Sequence, residues 1–237
     1  MPNEHIVRSF EEQLKRLREL LARMGGLAER QVADAAKALI TRNVDLASEV
    51  IGRDGEIDAL EVEIENFCVR LLALRQPMAG DLRVVVGALK ISTNIERIGD
   101  YARNAAKRAI VVSQQPQIGS LNGFQWMAKL VQENLKDAMD ALVREDAAVA
   151  ERVWASDAPV DDIYNGIFRE MLTHMMEDPR NITAATHLLF IAKNFERIGD
   201  HATNIAETVH YAVLGRNLPD DRPKSDASAY TIARPPS

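Results

Sequence analysis

The sequence has little of what disulfide scaffolds, β-sandwiches and membrane spans require. It contains one cysteine, Cys68, which cannot form an internal disulfide, and aromatic residues make up only 5% of the chain. No apolar run approaches the ~20 residues needed to cross a bilayer, and the first residues lack the charge pattern of a signal peptide. We therefore expect a soluble, cytoplasmic protein in which Cys68 is a buried structural thiol.

Positive charge is also scarce. The chain has 29 Lys and Arg against 35 Asp and Glu, for a net charge of −6. Nucleic-acid binding requires a basic face, so this balance argues against it. Hydrophobic residues make up 46% of the chain, which is enough for a core, and the abundant Ala, Leu, Glu and Arg favour packed helices.

The strongest pattern is an internal duplication. Asn94–Asn104 and Asn194–Asn204 are identical at eight of eleven positions and share the segment E-R-I-G-D. The two copies stay in register, without gaps, back to Leu71 and Met171. Such self-similarity predicts one structural unit present twice.

Each half is expected to form three helices. In the first half, apolar spacing of three and four runs from Leu14 to about Asn43, and Gly25-Gly26 would break or kink this helix. A second helix, capped by Asp45, should end before Pro77. The third helix of that half is predicted over 80–112, and those of the second half over 120–143, 146–177 and 181–214.

These helices predict an all-α fold of tandem duplicated three-helix bundles with six long helices in total. A single mixed six-helix core is the alternative packing. The predicted domains are residues 1–115 for the first repeat and 116–217 for the second. The proline-rich tail, 218–237, has no apolar period and is predicted to be disordered.

The repeated motif has an unusual arrangement of charge. On a helical wheel, five apolar residues of each copy form an inner stripe, and the acidic residues point to the opposite side. Glu96 and Asp100, like Glu196 and Asp200, lie four residues apart, where like charges are mildly destabilising. Because both copies contain this unfavourable pair, we expect a cation to lie beside it, either a metal ion or a basic side chain. Basic candidates within the motif region are Arg97, Arg197, Arg103 and Lys107.

Oxygen-bearing residues around the motif extend the candidate metal site. An antiparallel packing would bring the row on the preceding helix, including Asp58 and its counterpart Asp161, beside the acidic pairs. These two residues, with Asn104 and Asn204 one turn beyond the pairs, are secondary candidates for ligands. Hard oxygen ligands suit Mg²⁺, Ca²⁺, Mn²⁺ or iron. No cysteine–histidine spacing for zinc exists, although Zn²⁺ stays among the candidate ions of a surface cluster.

Over about residues 5–215 the chain resembles the PhoU family of bacterial phosphate-transport accessory and regulatory proteins. The resemblance lies in both E-R-I-G-D motifs and in four further segments: Met24–Gly26, Cys68–Arg70, Arg75–Arg83 and Met175–Asp178. It implies tandem three-helix bundles, a homodimer and multinuclear metal sites at Glu96, Asp100, Glu196 and Asp200. The resemblance does not cover the tail after about Leu218.

The resemblance also implies a function. Members of the family are negative regulators of the phosphate-starvation response. They are described as adaptors between the ATPase subunit of the phosphate ABC transporter (PstB-like) and a phosphate-sensing histidine kinase (PhoR-like). The chain would then be a non-enzymatic protein, peripheral to the membrane through its protein partners.

Two alternatives of other classes stay open at this point. A di-metal carboxylate enzyme in a helical bundle needs a Glu-x-x-His motif on each of two helices. The chain has one such match, Glu207 with His210, whose first-half counterparts are Lys107 and Ile110. The other alternative is a metal-buffering helical protein without a regulatory role.

Overall fold

The computed structural model describes residues 2–156 and 158–219, with side chains from Phe10 onward. It is all-helical within these ranges and confirms the predicted fold class. The first half contains α1 (Pro2–Thr41), α2 (Val44–Arg75) and α3 (Gly80–Ser113). The second half contains α4 (Asn122–Arg144), α5 (Ala147–Ala155), α6 (Ala158–Glu177), a 3₁₀ turn (Pro179–Asn181) and α7 (Ile182–Leu214).

Local chemistry sets the bounds of α2. Asn43, rather than the predicted Asp45, is the N-cap, and its side chain accepts a 2.9 Å hydrogen bond from the backbone N–H of Leu46. Asp45 lies instead in the first turn, where its charge favours the positive end of the helix dipole. Gln76, in the left-handed region at φ 46°, and then Pro77 end the helix as expected.

The expected break at Gly25-Gly26 is not present, because α1 continues through both glycines. Gly25 instead allows close contact between the two halves of the molecule. A Cβ at this position would overlap with the side chain of Met139 on α4. The glycine is therefore explained by packing and not by a change in helix direction.

The predicted helix over 146–177 is divided into α5 and α6. Asp146 caps α5 by accepting hydrogen bonds from the backbone N–H groups of Ala148 and Val149. Pro159, at the start of α6, has no N–H to donate and would clash with the carbonyl of Ala155 in a continuous helix. The proline therefore accounts for the break that the apolar spacing alone did not predict.

The third helices of the two halves lie at the centre of the molecule. α3 and α7 pack along each other, and α1 contacts α4, while α2 packs on α1 and α3 and the pair α5–α6 packs on α4 and α7. Every residue of the two predicted inner stripes is buried, which confirms the helical-wheel assignment. These residues are Ile95, Ile98, Ala102, Ala105, Ala109, Phe195, Ile198, Ala202, Ile205 and Val209.

The predicted domain boundary at 115/116 lies in the connection between α3 and α4. Whether each repeat folds as a separate domain stays a prediction. Leu218, where the predicted tail begins, is buried, and residues 220–237 of that tail lie outside the described part of the chain. Among the described helices, none is long and apolar enough to cross a membrane.

The cysteine is buried as expected. Cys68 lies on α2 with no exposed surface, and burial raises the pKa of its thiol to about 12. A thiol with so high a pKa is scarcely ionised at neutral pH and is therefore a poor nucleophile. Its contribution is to core packing.

Candidate functional site: the paired acidic motifs

The two acidic pairs lie near the middle of α3 and α7, but they are less exposed than the helical wheel predicted. Glu196 is 6% exposed, and the other three carboxylates are partly buried. The expectation that all of them point to solvent is therefore wrong for Glu196. The wheel describes one isolated helix, whereas a neighbouring helix covers part of this side in each half.

The motif glycines allow that close packing. A Cβ at Gly99 would lie 2.9 Å from Cδ1 of Ile57 on α2. A Cβ at Gly199 would lie 3.6 Å from Cγ1 of Val160 on α6, which is ordinary van der Waals contact. The close approach expected at these glycines is thus made by side chains of the preceding helix. It is tight only in the first copy.

Arginines neutralise the first acidic pair. Arg103 donates to Asp100 Oδ1 at 2.6 Å and also binds Oδ2 of Asp54 on α2. Arg97 lies 3.4 Å from Glu96 and 3.6 Å from Asp100. A basic side chain is therefore one counterpart of the acidic row, as one of the two sequence hypotheses expected.

A buried amide completes this first site. Gln31 on α1 is 4% exposed and donates to Asp54 Oδ1 at 3.0 Å and to the backbone carbonyl of Gly99 at 3.2 Å. Neither Gln31 nor Arg103 was predicted to link two helices. For Gln31 the available indication was a polar residue next to Val32 on the apolar side of α1.

The acidic row of α2 does lie beside the first motif, as predicted. Burial and then the charge of Asp100 raise the pKa of Glu96 to about 7. Burial, Asp54 and Asp100 raise the pKa of Asp58 above its usual value. Burial also raises the pKa of Glu61, against the effect of a hydrogen bond with Thr93 on α3. Carboxylates on both helices thus affect one another electrostatically.

The second acidic pair has different neighbours. Lys193 donates to Glu196 Oε1 at 2.9 Å, and Arg197 lies 3.7 Å from Glu196 and 3.6 Å from Asp200. Thr203 stands where the first copy has Arg103, and its hydroxyl donates to the carbonyl of Gly199 at 3.0 Å. Burial raises the pKa of Glu196. Its Oε2 is buried with no hydrogen-bond partner among the described residues.

The secondary candidates fall in several places. Asp161 is buried on α6, which packs against α7, and its first-half counterpart Asp58 lies near Asp100. Asn104 is partly buried one turn beyond Asp100. Asn204 lies between the halves, where its Nδ2 donates to Asn94 Oδ1 at 3.4 Å.

A histidine whose contacts the sequence did not predict also lies between the two halves. Nδ1 of His201 lies 2.7 Å from Asn94 Oδ1, and its ring centre lies 5.6 Å from that of Tyr101. His201 thus contacts the opposite half of the molecule. Its described contacts are those of a packing residue at the α3–α7 junction.

The donor set has the chemistry of a hard-cation site, since it offers only carboxylate and amide oxygens. Within residues 2–156 and 158–219, however, no three acidic, histidine or cysteine side chains are grouped as metal ligands are. Arg97, Arg103 and Lys193 supply the positive charge at these carboxylates. A metal ion would therefore compete with basic side chains for the same oxygens.

Comparisons with known proteins cover both halves. The family model for the PhoU domain matches residues 21–109 and again residues 124–209. A "Phosphate-specific transport system accessory protein PhoU homolog" from Caulobacter vibrioides is 51% identical over 224 residues, covering 94% of this chain and 97% of the relative. A homologue of the same description from Rhizobium meliloti is 44% identical over 230 residues, covering 97% of each chain.

Solved structures agree with this similarity. The crystal structure of PhoU from Pseudomonas aeruginosa superposes with a TM-score of 0.85 at 41% identity, covering 87% of this chain and 100% of that one. The phosphate transport system regulatory protein PhoU from Streptococcus pneumoniae superposes with a TM-score of 0.82 at 28% identity. That match covers 89% of this chain and 99% of the other.

Proposed function

Because this chain belongs to the PhoU family, we propose that it is a regulatory accessory protein of phosphate-specific transport. The observation that carries this proposal is near-full-length similarity to accessory proteins of that system, at up to 51% identity among the relatives described above. More specifically, the chain represses the phosphate-starvation response when phosphate is plentiful. It does so as a cytoplasmic, dimeric adaptor between the transporter ATPase and a phosphate-sensing histidine kinase.

Deletion of the gene tests the regulatory role. A phosphate-starvation promoter fused to a reporter should become active in phosphate-rich medium when the chain is absent. Reintroduction of the wild-type chain should restore repression. A deletion strain that keeps the reporter silent in rich medium would contradict the negative-regulator proposal.

The adaptor role requires physical association. The tagged chain should co-purify with the transporter ATPase and the kinase from phosphate-replete cells, and to a smaller extent from starved cells. The side chains of Arg97 and Arg197 are each about half exposed beside the acidic pairs, so charge reversal at both tests whether this surface contributes. Arg70→Glu, at an exposed position on α2, is the matched control.

Metal binding is a second proposal, favoured by Oε2 of Glu196, which is buried without a hydrogen bond and lies 3.7 Å from Nε of Arg197. The primary ligands would be Glu96, Asp100, Glu196 and Asp200, with Asn104, Asn204, Asp58 and Asp161 as secondary ones. A bound divalent ion, whether iron, Mg²⁺, Mn²⁺ or Zn²⁺, would neutralise carboxylates that otherwise raise one another's pKa.

Elemental analysis tests whether a metal ion neutralises these carboxylates or whether the arginine side chains alone do so. Purified wild type is compared with Glu96→Ala/Asp100→Ala and with Glu196→Ala/Asp200→Ala. We expect each double variant to lose metal relative to wild type. Equal metal content in all three proteins would remove the metal proposal and leave the regulatory one intact.

The enzyme and buffering alternatives have less support. His210, the histidine of the one Glu-x-x-His match, is buried, and its Nδ1 lies 3.2 Å from the backbone carbonyl of Arg216. That contact belongs to the end of α7. A buffering protein would instead show metal content that follows cellular stores, with no change in the reporter on deletion.

A further inference from the structure

A cavity unrelated to the acidic motifs lies where the two halves meet. Its volume is about 280 Å³, and it is lined by α1 and α3 from the first half and by the end of α4 and α7 from the second. Most of the lining is aliphatic. The apolar side chains include Leu17, Leu21, Ile91, Leu142, Val209 and Val213.

Four charged side chains, Arg18, Asp81, Arg83 and Glu145, accompany this apolar lining. Arg18 forms an ion pair with Glu145, and both residues line the cavity. Arg83 also lines the cavity, but its Nε is buried and has no hydrogen-bond partner among the described residues. No carboxylate of the described residues forms an ion pair with Arg83, whereas Arg18 has Glu145, so the guanidinium of Arg83 is available to an anion bound in the cavity.

The backbone around Arg83 leaves room for that guanidinium. Gly215, which ends α7 at φ 69°, has no side chain, and a Cβ there would lie 3.0 Å from Cζ of Arg83. The C-terminal end of α7 carries the negative end of its helix dipole, which favours a cation at this point. The charge of Arg83 is thus held in place by the fold without being paired to a carboxylate through Nε.

We propose that this cavity binds a small amphipathic monoanion, an aliphatic carboxylate whose head group pairs with Arg83 and whose tail lies among the leucine, isoleucine and valine side chains. A planar guanidinium matches a carboxylate through two parallel hydrogen bonds. Mostly apolar walls with a few polar groups are typical of small-molecule sites. The ligand would contact both repeats at once and so favour their present packing.

Size and charge narrow the ligand class. The cavity lies just below the roughly 300–1,000 Å³ of ordinary ligand sites, so the ligand must be small. The ion pair of Arg18 with Glu145 leaves one positive charge in the lining, that of Arg83. Because the negative charge of Asp81 lies in the same lining, a dianion such as inorganic phosphate matches the site less well than a monoanion. The site is therefore separate in chemistry from phosphate recognition and does not depend on the function proposed above.

Calorimetric titration of the full-length wild-type chain tests the proposal without any variant. Octanoate is the probe, compared with octanol, octylammonium and inorganic phosphate. We expect saturable binding of octanoate to one site, about tenfold tighter than octanol, because a hydrogen bond to a charged group adds this much affinity. Octylammonium and phosphate should not compete. Equal affinity for octanol and octanoate, displacement by phosphate, or absence of saturable octanoate binding would overturn it.

Three variants then locate the site. Arg83→Met should bring octanoate down to the affinity of octanol, whereas Arg70→Met, which removes an exposed guanidinium on a helix outside the lining, should leave binding unchanged. Ala212→Leu adds volume to the cavity wall and should weaken both ligands. Identical binding by wild type and Ala212→Leu would place the ligand elsewhere, even if Arg83→Met fails to fold.

Discussion

In the first copy of the repeated motif, Arg103 reaches both Asp100 on its own helix and Asp54 on the neighbouring one. In the second copy, Thr203 occupies the equivalent position and donates to its own helix. The remaining geometry is similar, since Arg97 and Arg197 each lie 3.6 Å from the aspartate three residues later. The identical residues thus give similar local geometry, and the differing residue at 103/203 changes how charge is balanced.

This difference extends to burial. Where Arg103 is present, the glutamate of the pair stays partly exposed, and burial and repulsion by Asp100 raise its pKa to about 7. Where it is absent, the glutamate is buried, with one oxygen bonded to Lys193 and the other 3.7 Å from Nε of Arg197 without a hydrogen bond. The first copy therefore resembles a structural ion-pair network, whereas the second has a buried carboxylate oxygen without a hydrogen bond, which a closer cation would coordinate.

Among the changes that test this comparison, removal of Arg103 should have the largest effect on the free energy of unfolding. Arg103→Met would leave Asp54, which is 5% exposed, with Gln31 as its remaining partner among the described residues, and should lower the free energy of unfolding by about 2–3 kcal/mol. Urea unfolding monitored by circular dichroism measures the change. The counterpart Thr203→Val loses one hydroxyl hydrogen bond and should cost about 1 kcal/mol. Equal costs would mean that Arg103 contributes no more than a neutral side chain.

The glutamates of the two copies should differ in how their charge affects stability. The pKa of Glu96 is raised from 4.5 to about 7 in the folded chain, mainly by burial. The stability that protonated Glu96 contributes to the folded chain is therefore fully present below about pH 4.5 and is lost as the pH rises through 7. Glu96→Gln should remove this loss and stabilise the protein at pH 8 by about 1 kcal/mol, after allowance for partial solvent screening, but not at pH 4.

Glu196→Gln is the matched test in the second copy. The pKa of Glu196 is also raised by burial, but Lys193 at 2.9 Å opposes that effect. The glutamine would remove the ion pair between Glu196 and Lys193, so the gain at pH 8 should be smaller than for Glu96→Gln. Unfolding curves at pH 4 and pH 8 measure the stabilisation that each variant produces. A larger stabilisation by Glu196→Gln than by Glu96→Gln would mean that the charge of Glu196 is the more destabilising of the two.

Much of the fold was predictable because it depends on local periodicity. The apolar stripes of α3 and α7 follow helical spacing, and all ten of their residues are buried. Pro77 and the cap before α2 were identified to within two residues. The break between α5 and α6 was missed because the apolar spacing continues through Pro159, whose effect comes from its absent N–H.

The candidate site was less predictable because it depends on contacts between helices. Burial of Glu196 comes from a neighbouring helix, which a wheel of one helix cannot include. The link from Gln31 to Gly99 spans 68 positions of sequence, and the link from Arg103 to Asp54 spans 49. The sequence indicated which carboxylates form a row, but not which basic side chain reaches them.

The motif glycines provide the smallest and most direct comparison of the two copies. Alanine at Gly199 would make only ordinary contact with Val160, so improved helix propensity should stabilise the protein by up to about 1 kcal/mol. Alanine at Gly99 would lie 2.9 Å from Cδ1 of the buried Ile57, and displacing that side chain should offset the propensity gain. Gly199→Ala should therefore be the more stable variant by about 1 kcal/mol in parallel urea titrations. Equal stabilities would show that Ile57 rotates away freely, so that the tight packing of α2 on the first motif would no longer distinguish the two copies.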